Sequence, residues 1–233
     1  MPQLKFAMMK LITTVARFVL NLLLPFLAVG FGREAWRVVR SITLTAPRPS
    51  AFLLGAGGFI PLWFVGQRLM PRVISYLTTL EHELTHILVG LLFLIRPVSI
   101  RVTATQGGEV VLTGSNLWIT LAPYFLPTTS FLLLPFAWLA SNKAERILLA
   151  VLGASVVYHL LSTWSEVGVV QSDFRKAGIA QSLWLIPVAN LICYGMILAF
   201  VADATGGVIH FIKTGLLQTS NAITGMRQLL LFI

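Results

Sequence analysis

Thr79-Leu80-Glu81-His82-Glu83-Leu84-Thr85-His86 lies inside an apolar run from Val73 to Ile95, bracketed by Arg72 and Arg96. As a helix that run is about 34 Å long at ~1.5 Å per residue, enough to cross a hydrocarbon core of ~30 Å. Glu81, His82, Glu83 and His86 then fall near mid-bilayer. Ionisable groups there are costly in lipid, so they read as functional and partnered.

The spacing points to a chemistry. His82 and His86 are four apart, so both imidazoles leave one helix face a turn apart. Two neutral imidazoles suit Zn²⁺, and Glu83 beside them can take a proton from an activated water. This is the H-E-x-x-H pattern of metalloproteases. At about 100° per residue, Ser75, Thr78, Thr79, Glu81, His82, Glu83, Thr85 and His86 fall in one arc of roughly 200°. Leu77, Leu80, Leu84, Ile87, Leu88 and Leu91 fill the opposite arc. A helix lining a wet, protein-walled cavity uses such a polar stripe; a helix surrounded by lipid does not.

Composition sets the class. The chain has 233 residues, 57% hydrophobic and 11% charged, with a mean hydropathy of +0.86. Soluble domains carry about 25% charged residues. The fold class expected is an all-α polytopic membrane protein, with about six transmembrane helices and a small β-hairpin after the metal-binding helix. The net charge of +9 does not imply nucleic acid, because the Lys and Arg residues are spread over helix ends, where they set topology and meet anionic headgroups of the lipid bilayer. The single Cys193 excludes an intramolecular disulfide and a Cys-based zinc site. The first apolar stretch lacks a small-x-small cleavage site, so no cleavable signal is expected.

In chain order, Leu11 to Phe31 reads as the first span, with Pro25 inside. Gly32 to Ser50 is a basic connection, part of it an interfacial helix. Ala51 to Leu69 is the second span, its glycines (Gly55, Gly57, Gly58, Gly66) favouring close helix contact. The metal helix is the third. Pro97 to Thr105 and Glu109 to Thr113 are rich in β-branched residues around Gln106-Gly107-Gly108, which predicts a β-hairpin whose edge an unwound peptide could join. Leu117 to Ala140 is a fourth span, broken near Pro123 and Pro127, as helices that line cavities often are. Ala144 to Val167 is the fifth, with His159, Ser162, Thr163 and Glu166 on one side. A polar connection from Gln171 to Lys176 precedes the sixth span, Leu183 to Val201. Residues 206–233 read as an amphipathic surface helix or a weak further crossing. The whole chain, 1–233, is expected to form one membrane domain, its metalloprotease-like core at about 73–201 flanked by helices over 11–69 and the segment over 206–233.

His82-Glu83-Leu84-Thr85-His86 in a transmembrane helix resembles the site-2-protease family of intramembrane zinc metalloproteases. Gly107-Gly108, then Ala122-Pro123-Tyr124-Phe125-Leu126-Pro127, then Ser172-Asp173, resemble its small bacterial members, over about Val73 to Ala180. The resemblance implies Zn²⁺ held by His82, His86 and a distant aspartate, for which Asp173 is the matching position, with Glu83 as general base. It also implies a multi-pass protein of the bacterial plasma (inner) membrane acting on transmembrane proteins or peptides, with the hairpin on the cytoplasmic side.

Read from the residues alone, the third ligand stays open, and His159 and Glu166 compete with Asp173. On a straight fifth helix running to Asp173, His159 would stand about 21 Å from it, so the two could not share one ion. Gly168 offers a point at which that helix ends and Asp173 folds back. Glu81 reads as a partner to a histidine N–H or as a hydrogen-bonded cavity residue. Two other functions stand beside the intramembrane endopeptidase. One is a non-proteolytic membrane zinc hydrolase of lipid amidase type, which would recruit His159. The other is a catalytically silent scaffold of the same fold. Di-iron histidine-box enzymes are disfavoured, because His82, His86, His159 and His210 are the only histidines.

Overall fold

The computed structural model describes residues 2–167 and 172–231. Its elements are, in order, α1 (Pro2–Ser41), α2 (Pro47–Leu69), α3 (Pro71–Leu92), β1 (Pro97–Thr103), β2 (Gly107–Leu112), α4 (Leu117–Leu121), a 3₁₀ turn (Ala122–Tyr124), α5 (Thr128–Leu139), α6 (Asn142–Val167), α7 (Ser172–Ala177) and α8 (Ile179–Leu231). Phe18, Leu22, Leu54, Leu62 and Phe64 stand exposed along α1 and α2, as an apolar solvent requires. α1, α2, α6 and α8 are each long and apolar enough to cross a membrane, and α4 with the 3₁₀ turn and α5 meets the same measure as a pair bent by 79°, the geometry of a broken span or a re-entrant loop. The chain is an integral membrane protein. α3 is as long as a span at 22 residues, but its polar arc keeps it outside that group.

Prolines punctuate the helices where the sequence places them. Pro71 opens α3 directly after Met70, which also terminates α2; proline suits a first turn, where its missing N–H is not needed. α1 runs further than the apolar stretch predicted. It extends to Ser41, so most of the basic connection is helix, and Glu34 is buried there beside Arg37 at 3.0 Å. Nothing after Gly32 interrupts the helical pattern until the Thr43 to Pro49 region.

Close helix seams are built on glycine. A Cβ at Gly55 would lie 1.8 Å from the Ala150 carbonyl oxygen, and one at Gly153 would lie 2.0 Å from that of Phe52, so α2 and α6 meet backbone to backbone. Gly57 and Gly58 have no such neighbour; of the glycines in the second span, Gly55 carries the contact with α6.

α8 is two limbs. Asp203 (φ −149°, ψ 44°) and Ala204 (φ 44°, ψ −140°) leave the helical region, and the chain doubles back. Gly207 then abuts the Ala199 carbonyl, and Gly195 abuts the Phe211 ring. On a straight helix these pairs would be about 12 Å and about 24 Å apart at ~1.5 Å per residue. The second limb therefore packs back along the first and leaves Ile209, Leu216 and Leu217 exposed. It also seats against α1, where Gly30 meets Thr219 and Gly215 meets Phe31. Phe232 and Ile233 of the C-terminal segment lie outside the described residues. Arg48 secures the bend: its Nε donates to the Val201 carbonyl at 3.2 Å, an Nη donates to the Phe200 carbonyl at 2.7 Å, and the guanidinium pairs with Glu145 of α6.

The hairpin is antiparallel, with Arg101 opposite Glu109, Val102 opposite Gly108 and Thr103 opposite Gly107. It lies along α3, and the Ser75 hydroxyl donates to the Ala104 carbonyl at 3.1 Å. A core of Leu24, Val89, Ile119, Leu121, Tyr124, Leu185 and Val188 packs around the inner end of α4 and fixes it against α3.

Candidate metal centre

α3 turns its polar arc inward. Thr78, Glu83, Thr85 and His86 are buried, while Leu77, Leu84, Leu88 and Leu91 stand exposed on the other side. The 3.6-residue period of the sequence thus places both histidines among protein groups. Their rings pack 4.9 Å apart at 72°.

Asp173 completes the group. Its Oδ2 is 3.5 Å from Nε2 of His82 and 3.5 Å from Nε2 of His86. These three residues form the one metal-competent cluster of His, Cys, Asp and Glu among the described residues. Asp173 is buried, in the first turn of the six-residue α7. Gly178 (φ +97°) lets the chain turn from α7 into α8. Gly168, the break point the sequence offered, and Gln171 lie outside the described residues.

The donor set fits a zinc-type ion. Metal–ligand bonds of about 2.0–2.2 Å in tetrahedral geometry put neighbouring ligand atoms about 3.4 Å apart, close to the two 3.5 Å separations. Both rings also present Nε2 rather than Nδ1, because each Nδ1–H is engaged behind. His82 Nδ1–H donates to Glu166 Oε2 at 2.9 Å, and His86 Nδ1–H donates to the Ile119 carbonyl at 2.7 Å. A bond on one ring nitrogen sets the tautomer and frees the other as a ligand. Asp173 is held in turn by the Tyr124 hydroxyl, which donates to Oδ2 at 3.3 Å, and by Lys176 Nζ at 3.5 Å from Oδ1.

Each competing residue has a definite place. Glu166 stands on the far side of the His82 ring from Nε2, so it bonds a histidine from behind and is not one of the three clustered residues. His159 is buried with its ring 6.3 Å from that of Tyr194, outside the cluster. Glu81 accepts a hydrogen bond from Thr129 Oγ1 at 2.8 Å, which makes it the hydrogen-bonded cavity residue of the two options. The sequence did not single out the Ile119 carbonyl, because a main-chain acceptor leaves no residue-type signal. Tyr124 stood inside the Ala-Pro-Tyr motif, but its partner was not legible there.

A cavity of about 640 Å³ opens beside the cluster, lined by His82, Glu83, His86 and Asp173 on one side and by both hairpin strands on the other. Two adjacent glycines form that wall for different reasons. Gly107 takes φ +79° at the turn. Gly108 is a close approach: a Cβ there would lie 2.6 Å from Thr79 Cγ2 and 2.7 Å from Glu83 Cγ. Gly108→Val should displace the hairpin or the Glu83 side chain. A misplacement near 1 Å costs about 100-fold in rate, so any reaction run at this centre should slow by that order while its metal content, read by atomic absorption, stays at the wild-type level.

Two imidazoles of α3 and a carboxylate of α7 gather around one point, next to a glutamate and a hairpin-walled cavity, and define a polytopic membrane protein with a metal-competent centre. The Peptidase M50B-like family profile matches residues 56–219, and the chain belongs to that family. No curated protein and no solved structure matches it.

Proposed function

We propose that the chain is a zinc-dependent intramembrane endopeptidase of the bacterial plasma membrane, cutting transmembrane segments of other proteins. One observation carries the reading: His82 Nε2, His86 Nε2 and Asp173 Oδ2 converge in a bundle of membrane helices, with Glu83 lining the same cavity. Membership of a peptidase family supports it.

His82, His86 and Asp173 would hold the ion. Bound zinc supplies Lewis-acid activation of water and of the scissile carbonyl. Glu83 takes the proton from the attacking water and returns it to the leaving amine. Arg101, Thr103 and Glu109 of the hairpin face the same cavity. A substrate strand laid along that hairpin would satisfy its own backbone groups by strand addition. Substrates would carry helix-weakening residues, because a regular helix keeps its carbonyls engaged. The lipid amidase alternative called for His159 in the ligand set, and His159 stands apart from it.

The purified protein in liposomes should cleave a transmembrane peptide with a Gly/Pro-weakened centre. Chelation should abolish the cleavage, and zinc alone should restore it. A fully zinc-loaded preparation that leaves a panel of such peptides intact would sink the proposal.

A further inference from the structure

The two histidines are supported by chemically different acceptors. Behind His86 is the neutral main-chain carbonyl of Ile119; behind His82 is the carboxylate of Glu166, carried by α6. The middle of α6 packs backbone to backbone against α2 at Gly55 and Gly153. Glu166 is the penultimate residue of that helix. It lines a small polar chamber with Thr78, Glu81, Ser162 and Thr163, on the side of His82 away from the main cavity. A carboxylate on the rear N–H of a metal-binding imidazole fixes ring orientation and raises ligand basicity, and losing such a partner typically lowers metal affinity about 10–100-fold.

We infer that Glu166 is a positioning residue for the metal centre, acting through His82 and making that ring the stronger of the two imidazole donors. It does not touch the ion or the substrate. The inference rests on His82, His86 and Asp173 being the ligands. It adds that the end of α6, and not only the metal helix, sets how tightly the ion is held.

The test is a zinc-affinity titration against a competing chelator, on full-length protein in detergent, with Co²⁺ substitution as a second readout. Four proteins are compared: wild type, His82→Ala, Glu166→Gln and Glu81→Gln. Glu166→Gln keeps the size and an acceptor oxygen but removes the charge. It should bind zinc about 10-fold more weakly and shift the visible Co²⁺ bands, since those report the ligand field of His82. Glu81→Gln removes a carboxylate from the same chamber that bonds Thr129 rather than a histidine; it should match wild type in both readouts. Wild-type affinity and an unshifted Co²⁺ spectrum in Glu166→Gln would overturn the inference, even if its melting temperature fell, because a purely structural role lowers stability without changing the folded site. An equal loss in Glu81→Gln would also overturn it, because the effect would then be the general field of the chamber. If His82→Ala binds zinc as well as wild type, the ligand assignment itself has failed, which is a separate result.

Discussion

Glu83→Gln is expected to retain zinc at the wild-type level and to lose peptide cleavage by about 10²–10⁴-fold, the range supplied by a positioned acid–base group. Glutamine has nearly the same volume, so the wall shared with Thr79 and Gly108 should keep its shape. What disappears is the ability to accept a proton. The carboxylate stands beside the ligand pair on α3 and lines the cavity with it, and no other carboxylate on that helix is so placed: Glu81 is turned toward Thr129. Cleavage and metal content should be measured on one preparation. Turnover within a few-fold of wild type would remove Glu83 from its assigned role. Joint loss of zinc and activity would mean that Glu83 helps hold the ion.

Asp173→Ala should have the largest effect on metal binding. Loss of a supporting partner costs about 10–100-fold in affinity, and removing a direct ligand should exceed the upper end of that range. The side chain also accepts from Tyr124 and faces Lys176, so its removal leaves a buried hydroxyl without its acceptor. Asp173→Asn separates these effects: it preserves an oxygen for Tyr124 while weakening the ligand. Zinc should be lost in both variants, with the stability loss confined to Asp173→Ala. Retention of tight zinc in Asp173→Asn would transfer the third position to another donor.

What could be read from the sequence follows the range of the physical cause. The polar arc of α3, including its leucine back face, was legible because helical periodicity is local. The hairpin was legible from β-branched runs around two glycines, with strand ends displaced by a residue or two: Thr103 rather than Thr105, and Gly107 rather than Glu109. The break between α4 and α5 was written in Pro123 and Pro127. Asp173 came from a resemblance of motifs, since no local rule links α3 to a residue so far along the chain. Glu166 was read as a rival ligand because spacing shows which face of α6 it occupies, but not which nitrogen of His82 that face meets. The reversal of α8 turns on Asp203 and Ala204. Neither residue type demands a bend, and Gly206-Gly207 next to them carried the only cue.

The glycine seams reverse the usual map of mutational tolerance. In a water-soluble protein the bulky interior positions are the fragile ones, and small residues are forgiving. Here Leu54 and Leu62 face outward, where one aliphatic group serves as well as another. Gly55, Gly153, Gly195 and Gly207 each sit where a single methyl would strike another chain segment. An engineer seeking a hardier variant should leave those four untouched and work on the greasy exterior, where substitutions come cheaply.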